Sequence, residues 1–505
     1  DTPVSMIKLE GVDFSYPSSL VPVFSGLTFT ADESWKTGLV GANGSGKTTL
    51  FKILCKEEPC GGRVLSSARF CRFPQNISYD KPVSALTDGC PEAEGWQFVR
   101  ELTLLGLGED VLCRPIGSLS GGERTKAMLA ALFCLDGFPL IDEPTDSLDL
   151  AGRRRLAAYL KGKRGYIVAS HDRAFLNACT DRTLFLSKGK AEVICGSYSV
   201  WKEERDAYLA AAAAEKRRLE GEAERLYAAA HRTEVWAAKA ERSKMGIQKK
   251  SGLKADKGFV SANAARVMKR SVIAAARRTE AAENAKKLAA ELPQEAAKLT
   301  FPPCICRKQC VLSLNNADIF LQGKKLICGL TLSVRPGERV AVTGNNGCGK
   351  STLLKAVVSL AGGMPEDAFD LGGAAAEGVS GADGVKISYV SQNCEDVCGT
   401  PSQYAKKWGI EDAAFKSMLA KLGFFSADWS RDMSLLSTGQ RKKAALARSM
   451  LTPAHLYVWD EPFNYLDVDA REMTEAAVLS SSPAMIFVEH DEEFVNRVAT
   501  RTVRL

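Results

Sequence analysis

The sequence predicts two α/β domains of similar size, joined by a long α-helical hairpin. Residues 1–200 and 301–505 alternate short apolar runs with helix-like stretches, which is typical of a parallel sheet flanked by helices. Residues 201–300 are rich in Ala, Glu, Lys and Arg and contain no run typical of a strand. One glycine-rich motif occurs in both α/β segments, as GANGSGKT at Gly41–Thr48 and as GNNGCGKS at Gly344–Ser351. The repeat predicts that the second α/β domain is a copy of the first.

Short apolar runs locate the strands of each domain. In the first domain they are Leu39–Val40 and Tyr166–Ala169, with a helix predicted over Arg124–Leu135. In the second domain, strands are predicted over Arg339–Thr343, Leu456–Trp459 and Met485–Val488. The second copy carries extra residues in the Gly/Ala-rich stretch Ala361–Gly384, which predicts a surface loop. Both domains therefore have the pattern of an α/β fold.

The repeated glycine-rich motif has a clear physical role. In a Gly-x4-Gly-Lys-Ser/Thr loop, backbone N–H groups surround phosphates, the Lys reaches the outer two, and the hydroxyl is a ligand of Mg²⁺. Two such loops predict two nucleotide sites. The predicted phosphate-binding residues are Gly41, Asn43, Gly44, Gly46, Lys47, Thr48 and Thr49, and Gly344, Asn346, Gly347, Gly349, Lys350, Ser351 and Thr352.

Further motifs follow both loops in the same order, which makes the pattern specific. The first set is Gln75, LSGGE from Leu119, Asp142-Glu143-Pro144 and Ser170-His171-Asp172. The second set is Gln392, LSTGQ from Leu436, Asp460-Glu461-Pro462 and Glu489-His490-Asp491. Two complete sets in register make a chance match to the loop motif untenable.

The acidic residues and the histidines predict hydrolysis of the bound nucleotide. Asp142 and Asp460 end apolar runs, where an aspartate can hold Mg²⁺ together with the hydroxyls of Thr48 and Ser351. Glu143 and Glu461 follow directly and can polarise the attacking water. The histidines could hydrogen-bond the outermost phosphate. The predicted catalytic residues are Glu143, Glu461, His171 and His490.

Both halves resemble the ATP-binding-cassette (ABC) ATPases, and the resemblance rests on these motifs. It implies ATP and Mg²⁺ as cofactors, Gln75 and Gln392 as additional metal contacts, and Tyr16 as an aromatic that stacks on adenine. It also implies that the two halves pair head to tail. LSGGE and LSTGQ are then the signature motifs, and each phosphate loop is closed by the signature motif of the other half. The implied closing residues are Ser437, Gly439 and Gln440 for the first loop, and Ser120, Gly122 and Glu123 for the second.

The region between the halves predicts two long helices, over Lys202–Met245 and Asn263–Leu292, joined by a glycine-containing break at Gly246–Phe259. This composition predicts a hairpin that projects from the body of the protein. Large apolar side chains spaced along both helices could form its seam. They are Leu209, Leu219, Leu226 and Val235 on the first helix and Val267, Met268, Val272 and Leu288 on the second.

Charge is concentrated in the hairpin. The chain has 67 Lys and Arg against 60 Asp and Glu, a net charge of +7, and residues 201–300 alone contribute 22 and 14. A basic run is often only a solvated helix face, but at the turn of a hairpin with an aromatic nearby it favours a polyanion as ligand. The predicted RNA contacts are Arg242, Lys244, Lys249, Lys250, Lys254, Lys257, Phe259, Arg266, Lys269 and Arg270.

The composition of the chain argues against a membrane protein and against a secreted protein. No apolar run approaches the roughly 18 residues of a membrane helix, and the start of the chain has no secretory pattern. Fifteen cysteines without a Cys-x-x-Cys pair fit a reducing environment. These features predict a cytoplasmic protein without a membrane partner. The head-to-tail pairing that the ABC resemblance implies can form within one chain, so it implies a monomer whose two ATPase domains pair with each other.

Two cassettes with a basic helical hairpin between them are similar to the ABC-F family of ribosome-associated ATPases. GSYSVW at Gly196–Trp201, DKGF at Asp256–Phe259, AARVMKR at Ala264–Arg270 and WDEPFNYLD at Trp459–Asp467 resemble its Lsa-like antibiotic-resistance subgroup. That resemblance implies binding to the bacterial 70S ribosome at the tRNA exit site, with the hairpin directed toward peptidyl-site tRNA and the 23S rRNA of the peptidyl-transferase centre. It implies protection from lincosamides, pleuromutilins and streptogramin A.

The first half departs from the family pattern in DEPTDSLD, where Asp146-Ser147 replaces the usual Asn-His.

Three alternative functions stay open. The chain could be a housekeeping ABC-F translation factor that relieves stalled ribosomes, the paired ATPase subunit of an ABC transporter, or a DNA-clamping protein with long coiled coils. The last is disfavoured because both motif sets here are uninterrupted, with the hairpin between them.

Overall fold

The structure of the chain is a computed structural model. The described residues are 6–17, 22–75, 77–88, 95–187, 189–246, 257–291, 299–304, 308–345, 347–360, 369, 371, 373–380, 384–424 and 429–505. Side chains at 237–246, 257–265, 267, 291 and 378–380 are outside this description. The chain divides into two compact units, one formed by Asp1–Trp201 with Ala297–Leu505 and the other by Lys202–Ala296.

The first half of the larger unit contains two sheets and five helices in its described residues. Its strands are β1 (Met6–Phe14), β2 (Phe24–Asp32), β3 (Lys36–Val40), β4 (Gly61–Leu65), β5 (Phe70–Phe73), β6 (Phe138–Asp142), β7 (Tyr166–Ala169), β8 (Arg182–Ser187) and β9 (Lys190–Cys195). Its helices are α1 (Lys47–Leu54), α2 (Gly95–Leu104), α3 (Gly121–Leu132), α4 (Leu150–Lys161) and α5 (Arg173–Cys179). The main sheet has the order β5-β6-β7-β3-β8-β9, and a smaller antiparallel sheet has the order β2-β1-β4.

The second half repeats this plan. Its strands are β10 (Leu312–Leu321), β11 (Lys324–Val334), β12 (Arg339–Thr343), β13 (Ala374–Ser380), β14 (Ile387–Val390), β15 (Leu456–Asp460), β16 (Met485–Val488) and β17 (Arg501–Arg504). Its helices are α8 (Lys350–Ser359), α9 (Pro401–Lys407), α10 (Asp412–Lys421), α11 (Thr438–Leu451), α12 (Val468–Ser481) and α13 (Glu492–Val498). The main sheet has the order β14-β15-β16-β12-β17, and the antiparallel sheet has the order β11-β10-β13.

The central strands of both main sheets are parallel and buried on both faces. β7 and β16 are buried at every position, and each is a run of apolar residues. β6 pairs with β7, and β15 pairs with β16, in parallel register. Continuous apolar runs of four or five residues are the expected signature of strands covered by helices on both sides. The carboxyl ends of these strands therefore meet at one edge, where the loops after β3 and β12 also lie.

The smaller unit is built on two long helices, α6 (Tyr198–Gly246) and α7 (Lys257–Glu291). They pack through small side chains, because Ala223, Ala282 and Ala285 form the buried cluster between them. The guanidinium of Arg278 also donates a hydrogen bond of 2.7 Å to the hydroxyl of Thr233. Alanines let two helix backbones approach closely, and the partly buried side chains of Leu226 and Tyr227 pack against this cluster, which confirms Leu226 as a member of the predicted seam.

The seam predicted from large apolar residues is wrong for three of its members. Val235, Val272 and Leu288 are 51%, 57% and 54% exposed. The pattern of large residues misled the prediction because the alanine-rich composition hides the contact face. The predicted surface loop Ala361–Gly384 is also wrong in part, since Ala374–Ser380 forms a strand that pairs with β10. The predicted α/β fold of two similar domains with a helical insertion between them is confirmed.

Candidate functional site

The first phosphate loop joins the end of β3 to the start of α1. Gly46 precedes the helix with a φ of 97°, and a Cβ there would lie 2.6 Å from the ring of Phe24. A Cβ on Gly41 would lie 2.5 Å from the carbonyl oxygen of Leu186. Only glycine fits both positions. In this turn, backbone N–H groups point into the space at the N-terminus of α1, which is where phosphates bind.

The second phosphate loop repeats this geometry between β12 and α8. Gly349 has the same φ of 97°, and a Cβ on Gly344 would lie 2.8 Å from the sulfur of Cys348. Asn346 lies outside the described residues. Both predicted loops thus have the local conformation that a phosphate cradle requires.

The lysine of each loop is buried at its centre. Lys47 Nζ donates to the carbonyl of Gly41 at 2.8 Å and lies 3.3 Å from Nε2 of His171. Lys350 Nζ donates to the carbonyls of Gly344 and Asn345 at 2.8 and 2.9 Å. Burial lowers the pKa of Lys47. Burial also lowers the pKa of His171 well below its usual value, so this imidazole is neutral and can accept a hydrogen bond.

Oxygen ligands suited to Mg²⁺ lie beside each lysine. The hydroxyl of Thr48 donates to Asp142 Oδ2 at 2.7 Å, at the end of β6. Both carboxylate oxygens of Asp460 are buried at the end of β15, with no hydrogen bond of normal geometry from the described residues. Burial raises the pKa of Asp142, and it raises that of Asp460 to about 6 against the opposing effect of the Ser351 hydroxyl. Buried carboxylates with free lone pairs fit a hard divalent cation, which would offset their burial.

The two glutamates after these aspartates have the same strained backbone. Glu143 and Glu461 both have a φ of 46°, which is rare for a residue with a side chain. Their N–H groups donate to Ala169 and Val488 at 2.9 Å. These contacts tie each glutamate to the strand that leads to its histidine, so that carboxylate and imidazole share one side of the loop.

Each histidine lies against the glutamate of its own half. His171 Nε2 is 3.2 Å from a carboxylate oxygen of Glu143, and His490 Nε2 is 3.3 Å from one of Glu461. Burial and the negative charge of Asp146 raise the pKa of Glu143 to about 8. Burial also acts on Glu461, but hydrogen bonds from His490 and Gln392 outweigh it and lower the pKa of that carboxyl.

Residues of the second half close over the first phosphate loop. The amide of Asn43 donates from Nδ2 to the carbonyl of Tyr465 at 2.7 Å, and its backbone N–H donates to Asp467 at 3.2 Å. A Cβ on Gly439 would lie 3.0 Å from Asn43 Nδ2. Asp467 in turn accepts a 2.7 Å hydrogen bond from Lys443 of α11. The second signature motif is therefore beside the first loop.

Both signature motifs begin a helix in the same way. Ser120 and Glu123 form a capping box at the start of α3, and Ser437 and Gln440 form one at the start of α11. Each capped end places a helix N-terminus, with its partial positive charge, at the signature motif. The reciprocal contact, of Ser120, Gly122 and Glu123 with the second loop, stays a prediction.

The other predicted nucleotide contacts have defined surroundings. The hydroxyl of Tyr16 is 3.0 Å from that of Thr49, so the ring lies beside the first loop. Gln392 donates to Glu461 at 2.8 Å, whereas Gln75 donates to the carbonyl of Met128 at 2.9 Å. The structure therefore brings one of the two glutamines to its glutamate and turns the other toward α3.

Three of the predicted RNA contacts have described side chains. Arg266, Lys269 and Arg270 are exposed on α7. The rest of that set, which has side chains or whole residues outside the described part, consists of Arg242, Lys244, Lys249, Lys250, Lys254, Lys257 and Phe259.

A buried ionic cluster between the halves was missed by the sequence analysis. Arg173, two residues after the first histidine, is 2% exposed and donates to Glu475 at 3.1 Å. It also lies 3.5 Å from Asp491 of the second half. Arg471 donates across the halves to the carbonyl of His171 at 3.0 Å. Because these groups pair only when both halves are present, no pattern within one half indicates them.

Fold and site together define a tandem ATPase with two phosphate-binding loops. The family model described as ABC transporter matches residues 24–146 and 327–464, which is more than half of the chain. The chain belongs to this family. Its domains bind ATP, and it is an ATP-hydrolysing enzyme.

Three relatives match nearly the full chain at 26% or 27% identity. ABC transporter F family member 5 of Arabidopsis thaliana is 26% identical, over 99% of this chain and 75% of the relative. ATP-binding protein Uup of Caulobacter vibrioides is 27% identical over 96% of this chain and 75% of the relative. Ribosome protection protein VmlR of Bacillus subtilis is 26% identical over 96% of this chain and 84% of the relative.

Among solved structures, the archaeal ribosome recycling factor aABCE1 superposes with a TM-score of 0.61 at 20% identity, covering 98% of this chain and 87% of that chain. This likeness shows the tandem fold. In the described residues, no helix combines the length and the apolar character needed to cross a lipid bilayer.

Proposed function

We propose that this protein is an ABC-F ATPase that binds the bacterial 70S ribosome and protects it from antibiotics of the peptidyl-transferase centre, namely lincosamides, pleuromutilins and streptogramin A. It enters the tRNA exit site with ATP bound and leaves upon hydrolysis. The observation that carries the proposal is a pair of phosphate-binding loops, each with its own acidic pair and histidine, with a long basic hairpin inserted between the two halves. Full-length similarity to a ribosome protection protein supports it.

The proposed chemistry assigns one role to each group around a phosphate loop. Lys47 and Lys350 hold the outer phosphates, and the buried lysines lose little entropy because the loop carbonyls already fix them. Thr48 with Asp142, and Ser351 with Asp460, would hold Mg²⁺, which supplies charge neutralisation at the transferred phosphate. The side-chain oxygens of Gln75 and Gln392 would complete the two metal sets.

Glu143 and Glu461, in their ionised form, then orient the attacking water and accept its proton. Their position at the carboxyl ends of β6 and β15 places a carboxylate next to the metal-binding aspartate of the same half. His171 and His490 hold the outermost phosphate from the other side. A neutral imidazole keeps one N–H group, so His171 can donate a hydrogen bond to a phosphate oxygen.

The contact between Asn43 and the second half supports a cycle in which ATP is a bridge between the halves. The first loop touches Tyr465 and Asp467 from the other half. A nucleotide held by both faces favours the closed pairing, and its loss upon hydrolysis releases the signature motif. This cycle would couple ATP turnover to residence on the ribosome.

The hairpin supplies the surface that reaches RNA. At 1.5 Å per residue, the 49 residues of α6 span roughly 74 Å. Its described surface includes the exposed basic residues Arg266, Lys269 and Arg270, and the side chain of Trp236 is 80% exposed on α6. Cations that contact phosphates and an aromatic ring that can stack on a base are the usual elements of RNA recognition.

A drug-susceptibility panel tests the proposal. Expression of the chain in a susceptible bacterium should raise the inhibitory concentrations of a lincosamide, a pleuromutilin and a streptogramin A, because the hairpin displaces the tRNA or rRNA that holds the drug. Deletion of Gln248–Ala255, at the predicted tip and outside the described residues, should abolish protection while ATP turnover persists. A drug acting elsewhere on the ribosome is the control. Unchanged tolerance with ribosome binding intact would favour the housekeeping translation factor.

The salt dependence of ribosome binding tests the hairpin surface. Each phosphate contact contributes close to one unit to the slope of log affinity against log salt concentration. Replacing Arg266, Lys269 and Arg270 together with Glu should therefore reduce that slope by about two to three for the ATP-bound protein. The matched control replaces three exposed cations of the cassettes, Arg63, Arg69 and Lys324, with Glu. Equal slopes for the parent and the α7 variant would leave these residues as a solvated helix face.

A further inference from the structure

The two glutamates assigned to water activation are held in different ways. Gln392 Nε2 donates to Oε2 of Glu461 at 2.8 Å. Asn464, three residues after Glu461, donates from Nδ2 to the same oxygen at 2.5 Å. Two neutral amide donors therefore converge on one carboxylate oxygen and fix its position.

Glu143 has neither donor. The residue three positions after it is Asp146, whose carboxylate cannot donate a hydrogen bond when ionised. Gln75 donates to the carbonyl of Met128 instead, and its own oxygen is buried with no partner in the described part of the chain. The described hydrogen bond to the Glu143 carboxylate is from the backbone N–H of His171, at 3.2 Å.

A second sequence difference between the two halves explains why Gln392 and Gln75 have different hydrogen-bond partners. Lys442 stands five residues after Ser437, and its buried ammonium donates to the carbonyls of Ser391 and Gln392 at 2.9 and 3.1 Å. The residue five positions after Ser120 is Thr125, whose hydroxyl is 2.7 Å from that of Ser147. Lys442 thus ties the backbone next to Gln392, and Thr125 is too short and differently bonded to do the same for Gln75.

We propose that these differences make the two ATP sites unequal: the site of Lys350 hydrolyses ATP quickly, and the site of Lys47 hydrolyses it slowly and retains it. Asn464 and Lys442 are positioning residues for Glu461, and Asp146 and Thr125 are the residues that withhold the same support from Glu143. This inference rests on the proposed roles of the two glutamates. It is independent of the ribosome as partner.

The physical reason is the geometry of water activation. A carboxylate held from two directions keeps one orientation toward the water, whereas one with few donors samples several, and only a fraction of them is productive. Misplacement of a catalytic group by about 1 Å can cost roughly 100-fold in rate, so a difference of about tenfold between the sites is expected. The slow site would keep its nucleotide bound while the fast site turns over.

The experiment isolates each site in the full-length protein. Glu143→Gln leaves the Lys350 site to hydrolyse ATP, and Glu461→Gln leaves the Lys47 site. Single-turnover rates should differ by about tenfold in favour of the Lys350 site. Asp146→Asn should then raise the rate in the Glu461→Gln background, and the mirror change Asn464→Asp should lower it in the Glu143→Gln background. A gain in rate cannot arise from misfolding.

A second readout needs neither nucleotide nor turnover. Lys442→Thr should raise hydrogen–deuterium exchange of the backbone around Gln392 in the nucleotide-free protein, and Thr125→Lys should lower it around Gln75. Lys443→Thr, which removes the neighbouring lysine bonded to Asp467, is the control and should leave exchange around Gln392 unchanged.

The outcomes separate this inference from the proposed function. Equal rates in the two isolated sites, or no gain from Asp146→Asn, would overturn the inequality alone. Full turnover in both Glu→Gln backgrounds would instead show that the glutamates are not the catalytic carboxylates. Unchanged exchange around Gln392 in a folded Lys442→Thr variant would remove Lys442 from the explanation.

Discussion

Replacing both Glu143 and Glu461 with Gln is expected to reduce ATP turnover by at least about 100-fold while ATP still binds. Gln has the shape of Glu but cannot accept the proton of the attacking water. The phosphate loops, their lysines and the metal-binding aspartates are unchanged by the substitution. The halves would then stay closed around ATP, and the protein would remain on ribosomes and inhibit growth of the host.

The measurements are steady-state phosphate release, equilibrium ATP binding and co-sedimentation with ribosomes. The matched control carries Glu109→Gln and Glu411→Gln, one exposed glutamate in each half, and should behave like the parent. Parental turnover by the double variant would refute the assignment of both carboxylates. Loss of ATP binding in the double variant would show that the carboxylates hold the nucleotide, and not only the water.

Much of the fold was readable from local signals. The strand predicted over Arg339–Thr343 coincides with β12, and the one over Met485–Val488 coincides with β16. These segments are apolar because helices cover both faces of a parallel sheet, so burial alone determines their composition. The glycine spacing likewise predicts the loop conformation, since a Cβ at Gly46 or Gly349 would meet a side chain of the preceding antiparallel sheet.

The unpredicted features depend on contacts between distant parts of the chain. In the sequence, Arg173 looks like any other charged residue of a helix. Its burial in α5 is stabilised by the carboxylates of Glu475 and Asp491, which belong to the other half. The inequality of the two glutamates has the same origin. Asp146 and Asn464 differ visibly in the sequence, but their effect needs the distances from Asn464 and Gln392 to Glu461.

The contact between α6 and α7 shows a second reason why part of the fold could not be predicted from the sequence. Apolar spacing predicts which face of a helix is buried only when large side chains carry the contact. In α6 and α7 the alanines at 223, 282 and 285 carry it, and alanine is so frequent in this region that it marks no face. Val235 and Val272 are left exposed.

Ser437→Arg is expected to weaken ATP binding at the Lys47 site by more than about tenfold and to leave the Lys350 site occupied. Ser437 caps α11, and Gly439 lies in the first turn of that helix. A Cβ on Gly439 would lie 3.0 Å from the side-chain amide nitrogen of Asn43 in the first loop. A long cation at the capping position would project into the space where the second half meets this loop. The affected nucleotide is therefore held by the half that is not mutated.

Photo-crosslinking with an azido-ATP analogue, followed by peptide mapping, measures occupancy at each loop. Ser437→Ala is the control for the lost cap, which by itself costs about 1 kcal/mol of stability and should leave both sites occupied. Ser120→Arg is the mirror variant, and the head-to-tail arrangement predicts loss at the Lys350 site. If Ser437→Arg instead emptied the Lys350 site of its own half, the contact of Asn43 with Tyr465 and Asp467 would not represent the pairing that binds ATP.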